Sequence, residues 1–206
     1  MAPVHAKTNA GTQQARPLDR ILPQPDITER FAIQVRAPAP LVLEVAAGLD
    51  LQALPLVRGI FRLREQFMGA APHPRARQGL VQDLAGLGWA IRVAEPGRLI
   101  VGGAACQPWN PDVVFRPLDP DGFATYTEPD QVKIAWTLES EPLGPELTRF
   151  ATETRAVATD AATRKKFRRY WRWSRFGIIA IRLLLLPAIR KEAERCFRRR
   201  MDGSAP

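Results

Sequence analysis

Glu153 and Arg155 stand two positions apart in TRFATETRAVAT (148–159), a run whose alternation fits a strand, so their side chains share one face. A guanidinium beside a carboxylate can hold a ligand carboxylate or enolate through its fork of N–H donors, with the acid fixing the fork's orientation. Tyr170 adds a phenol that can carry a proton. Glu153, Arg155 and Tyr170 are therefore the candidate catalytic residues. The same pair fits better as a cross-strand ion pair near a sheet edge, or as a brace to Arg168 or Tyr170.

Other chemistries find little support. The two histidines, His5 and His73, sit among prolines and small residues, a poor setting for a general base or metal ligand. Cys106 and Cys196 are far apart and lack metal or redox spacing. No glycine-rich phosphate loop follows a strand. The expectation is no metal and no cofactor.

The elements that must position these residues come from periodicity. FAIQVRA (31–37) alternates as a half-buried strand, and LVLEVAAG (41–48) and PLVRGIFRLREQF (55–67) read as two short helices. WAIRVAE (89–95), a PGR turn and RLIVGGAACQPW (98–109) read as a hairpin. Gly102 and Gly103 imply bending or close packing by a neighbour. VVFRPL (113–118) and FATYTE (123–128) are shorter strand candidates, and QVKIAWTLESE (131–141) is the clearest strand. Lys133 and Arg92 alternate away from the apolar side, toward solvent. Asp160 is an N-cap for a long terminal helix with Phe167, Trp171, Ile178, Ile181, Leu185 and Ile189 on one stripe. A break is expected at Gly177 or Pro187, because an unbroken helix would outreach a compact domain.

The order gives an α+β fold: a curved antiparallel sheet wrapped around a long C-terminal helix, with two short helices after the first strand. Any space left between sheet and helix becomes a ligand cavity. Its expected lining is Phe61, Trp89, Ile91, Ile134, Trp136, Phe150, Trp171, Ile178 and Leu185. Residues 1–29 read as a flexible arm, 30–197 as the domain and 198–206 as a disordered basic tail.

The net charge is +9, and residues 161–206 hold 14 Lys and Arg against three Asp and Glu, so this segment carries the whole excess. Such a cluster suits a solvated helix face or an anionic membrane surface. Its aromatics fall on the apolar stripe, poorly placed to stack on bases, so nucleic acid is not an expected partner. The run FGIIAIRLLLLPAI (176–189) is too short for a bilayer span. No apolar signal segment opens the chain, and a cytoplasmic location, with peripheral membrane contact as an option, is the expectation. Composition gives no oligomeric state.

Several segments resemble the SRPBCC superfamily, the helix-grip fold of START lipid-transfer domains, plant pathogenesis-related allergens and polyketide cyclases. They are VRAPAPLVLEVA (35–46), PLVRGIFRLR (55–64), VAEPGRLIVGGAACQPW (93–109), FATYTEPDQVKIAWTLE (123–139) and ATETRAVATDAATRKKFRRYWRW (151–173). Together they cover roughly residues 20–196 in the family's order, and Thr152–Trp171 is the most specific stretch. The chain departs where Phe31 replaces a frequent histidine, and where Arg175, Phe176 and Gly177 replace a proline–glycine break. The resemblance implies the helix-grip fold and its cavity. Binding of a hydrophobic or amphipathic small molecule is the first functional expectation. A cyclase or dehydratase, and an interaction module using the basic helix, are the alternatives.

Overall fold

A computed structural model describes residues 16–50, 59 and 78–203. The expected second helix (55–67), with Phe61, and both histidines lie outside the described residues, apart from Gly59.

Six strands form one antiparallel sheet. They are β1 (Ile27–Val35), β2 (Ala90–Glu95), β3 (Leu99–Cys106), β4 (Arg116–Pro117), β5 (Val132–Gly144) and β6 (Leu147–Ala158). Their order is β1-β6-β5-β3-β2, with the short β4 paired to β3. Among the described residues three helices are bounded: α1 (Ala39–Gly48), α2 (Leu80–Gly86) and α3 (Ala161–Asp202). This is the expected α+β architecture, a curved sheet with a long terminal helix.

The period of two decides which side chains meet the helix. In β5, Val132, Ile134, Trp136 and Leu138 face α3, and their β6 partners Ala158, Ala156, Thr154 and Thr152 face the same way. Phe31, Ile33 and Val35 of β1 join them by pairing with Thr152, Phe150 and Thr148. We call this side the inner face. Every residue between these points to the outer face.

The main core lies on the inner face. Val35, Leu138 and Phe150 of the sheet meet Leu41, Val42 and Ala46 of α1 and Leu185, Leu186 and Ile189 of α3. At the other end of α3, Phe167 packs on Val132 and Ala156. Each such apolar side chain contributes roughly 1.5–3 kcal/mol on burial, so the helix is held firmly at two places. Between them, Ser174, Ile178, Ile181 and Arg182 are only half-buried.

Four expectations are corrected. First, α3 runs unbroken for 42 residues through Gly177 and Pro187. Leu183 and Pro187 both lie on the solvent side. Water can therefore serve the Leu183 carbonyl that the proline ring leaves without its helical donor. Second, α3 continues through Asp202, so 198–202 are helical rather than a tail. Third, residues 16–29 are not an arm. Leu18 and Leu22 are buried against Val101, Ala105, Phe123 and Ala135 on the outer face, and β1 already starts at Ile27. Residues 1–15 lie outside the described residues. Fourth, 123–128 is not a strand. A 3-10 turn at Pro120–Gly122 inserts Phe123 under the outer face instead. Lys133 also departs from expectation, because it is half-buried. Its Nζ donates to the Phe123 and Tyr126 carbonyls at 2.6 and 3.2 Å, and burial lowers its pKa.

The adjacent glycines Gly102 and Gly103 are explained by packing on opposite faces. A Cβ on Gly102 would overlap the Trp136 indole, and one on Gly103 would overlap the Leu118 carbonyl and the Phe123 ring. Asp160 caps α3 as expected, accepting from the Thr163 N–H at 2.8 Å.

Candidate functional site

The middle of the inner face carries polar groups that the fold leaves under-used. Trp136 lies flat over Gly102 and meets Trp89 edge-on at 6.3 Å between centroids. Trp89 in turn packs on Phe115 at 4.9 Å. Both indole N–H groups are buried, and neither finds an acceptor among the described residues. The Ser174 hydroxyl, on the flank of α3 that also carries Ile178 and Ile181, is in the same condition. A buried donor without an acceptor costs about 1–3 kcal/mol. A ligand oxygen would recover that cost.

Arg182 is the charged member. It reaches from α3 to the sheet, where Nη1 donates to the Glu29 carbonyl at 3.2 Å and Nη2 donates to the Thr154 hydroxyl. Its guanidinium carbon stands 5.5 Å from the centre of the Phe31 ring. Both hydrogen-bond partners are uncharged. Burial pulls its pKa down from 12.5 to about 10, and the distant Glu29 carboxylate offsets only part of that. Arg182 therefore stays a cation at neutral pH while most of its hydration is stripped away.

The donors line up with a broad apolar and aromatic surface. Trp171 packs tilted against Phe167 at 6.1 Å between ring centroids, and Ile134, Tyr170 and Trp171 border the Phe167 cluster. The inner face thus offers rings and branched aliphatics, several N–H and O–H donors and one cation. That set fits an amphipathic molecule with an oxygen-rich or anionic end.

The expected residues divide between the two faces. Trp89, Ile91, Ile134, Trp171 and Ile178 are half-buried on the inner side, and Trp136 is buried there. Phe150 and Leu185 are enclosed in the main core. Tyr170 lies at the inner side, beside Phe167.

Glu153 and Arg155 face the other way, so the structure does not bring the three catalytic candidates together. Arg155 donates from Nε to Glu153 at 2.6 Å, from Nη1 to the Leu22 carbonyl at 2.9 Å and from Nη2 to Asp19 at 2.5 Å. Arg30 bridges Glu153 and Glu139 at 2.9 and 3.1 Å. The Glu153 and Arg155 side chains are 1% and 6% exposed. The pair is thus a cross-strand brace that fastens residues 19–22 onto the outer face. Neither a ligand anchor in the cavity nor a brace to Arg168 or Tyr170 is what they form.

Parity along β6 carried this result in advance. Phe150 and Glu153 are three apart on one strand, so they cannot both face the helix. Arg182 was missed, yet its signal was present. It is the lone charge in the apolar run 176–189, four residues after Ile178 and three before Leu185, which puts it on the stripe facing the sheet. Among the described residues, no group of three or more His, Cys, Asp or Glu is placed to hold a metal.

No protein-family model matches the chain, and no curated protein matches it. Among solved structures, the chain is similar to the Zhui aromatase/cyclase from a Streptomyces species. The TM-score is 0.33 and the identity 15%, over 82% of this chain and 94% of that one.

Proposed function

We propose that the protein binds a hydrophobic or amphipathic small molecule between the inner face and the middle of α3. The apolar body would rest on Ile134, Trp136, Trp171 and Ile178, and an anionic or oxygen-rich end would meet Arg182 and the indole N–H groups. The observation that carries this reading is Arg182 itself: a cation held in an apolar layer with only uncharged hydrogen-bond partners. A purely structural layer gains little from such a group, because its hydrogen bonds and ring contact only about offset its desolvation. A bound anion compensates it.

Binding is favoured over catalysis because the groups proposed to handle protons, Glu153, Arg155 and Tyr170, lie on opposite sides of the sheet. Arg155 is also fully engaged by Asp19, Glu153 and the Leu22 carbonyl. The test is native mass spectrometry of protein purified from its own host, with extraction of any bound molecule. The reading expects an apolar compound with a carboxylate, phosphate or enolate end. A chain that carries nothing, and that takes up neither fatty acids nor aromatic polyketide-like acids on titration, refutes it.

A further inference from the structure

We infer that the solvent side of α3 docks the protein onto an anionic membrane surface, with the helix lying parallel to that surface. The observation is separate from the inner-face site. Trp173, Phe176 and Leu183 are 73%, 61% and 59% exposed. At about 100° per residue, these three fall with Ala180 and Pro187 inside an arc of about 80°. They form a continuous apolar stripe from Trp173 to Pro187, about 20 Å long at 1.5 Å per residue.

Basic residues flank the stripe at both ends. Lys165 and Arg169 precede it and Lys191 and Arg198 follow on the same arc, with Arg172 just beside its edge. All five are exposed, and among the described residues none has an acidic partner. Of the acids at the C-terminal end, Glu194 is taken by Arg190 and Glu192 by Arg195, and Asp202 stands at the last helical position, beyond Arg198.

The charge pattern chooses the occupant. A second copy of the chain would set basic flank against basic flank whichever way its helix ran. An anionic lipid surface attracts both flanks and offers the apolar stripe a place at the headgroup boundary. Trp173 is the residue type that settles at that boundary. No helix among the described residues is long and apolar enough to cross a membrane, so this contact is with the surface only.

The test is co-sedimentation of the full chain with phosphatidylcholine vesicles, with and without phosphatidylserine. Binding is expected only when phosphatidylserine is present, and it should weaken as salt rises. Each unpaired basic residue near such a surface is worth about fivefold in binding. The double variant Arg169→Glu, Arg172→Glu should therefore lose at least about tenfold. Brominated lipid should quench wild-type tryptophan fluorescence, and Trp173→Phe should abolish most of that quenching. The variant Trp173→Ser, Phe176→Ser, Leu183→Ser should lose binding with an unchanged circular dichroism spectrum and an unchanged inner-face ligand titration. Equal binding to both vesicle types, no binding to either, or a concentration-dependent dimer that the triple variant dissolves would each overturn the inference.

Discussion

Arg182→Met separates a binding role from a bracing role, because the two predict opposite pairs of results. Holding the guanidinium near 10 rather than 12.5 costs the fold about 3 kcal/mol at about 1.4 kcal/mol per pH unit. Water at the half-open edge lowers that figure somewhat. Methionine has similar reach and removes the cost. It also forfeits two charge-assisted hydrogen bonds, to the Glu29 carbonyl and the Thr154 hydroxyl, worth about 1.5 kcal/mol each at the low end of their range, and a ring contact with Phe31 worth about 0.5–1 kcal/mol. The two sides nearly cancel. In the ligand-free protein Tm should therefore move by no more than the ~2–4 °C that corresponds to 1 kcal/mol in a domain of this size.

Ligand affinity should behave differently. A charge-assisted hydrogen bond contributes about 1.5–3 kcal/mol, so loss of Arg182 should weaken a long-chain fatty acid roughly tenfold to a hundredfold. The matching alcohol should bind nearly as before. The assay is a melting curve and a pair of titrations at neutral pH, where Arg182 is charged. A large fall in Tm with the preference for acid over alcohol intact would refute the binding role and leave Arg182 as a brace.

Three further outcomes follow from the packing. Gly102→Ala drives a methyl into the Trp136 indole; overpacking of this kind costs about 1–3 kcal/mol, to be read from urea unfolding. Arg155→Met leaves the buried Glu153 with Arg30 alone and takes the donor from Asp19 and the Leu22 carbonyl; breaking a buried pair costs about 3–5 kcal/mol, and the surviving Arg30 bridge puts this loss at the low end. Limited proteolysis should then cut the 16–26 segment well before the sheet. Hydrogen bonding to Arg155 holds the Asp19 carboxyl below its ordinary value of 3.8. Its stabilisation is complete above that value and disappears as pH falls through the lower folded one. Protease sensitivity of residues 16–26 should therefore rise only in strong acid, and Asp19→Asn should show the loosened behaviour at neutral pH.

What was legible in the sequence followed from local rules. The alternation of Val132, Ile134, Trp136 and Leu138 fixed both β5 and its inward face, and Asp160 announced the start of α3. The glycines at 102 and 103 signalled close packing, though the partners, Trp136 on one side and Phe123 on the other, depend on tertiary placement. Residues 17–22 were unreadable because Leu18 and Leu22 are anchors in a segment too short and proline-marked to show a period. Pro187 misled because a proline is tolerated where its unpaired carbonyl meets water, and that depends on which side of α3 is covered. Glu153 and Arg155 suggested chemistry by type. Their face, set by strand register and by the N-terminal segment crossing behind, makes them structural.

The most direct measurement of the central claim is the set of indole N–H resonances in a proton–nitrogen correlation spectrum. The spectrum is taken before and after adding an anionic amphiphile below its micellar concentration. If the inner face holds the ligand's polar end, the Trp89 and Trp136 signals, whose N–H groups find no acceptor among the described residues, should move downfield as they gain acceptors, while exposed Trp173 stays in place. Movement of Trp173 alone, with Trp89 and Trp136 unchanged, would contradict it.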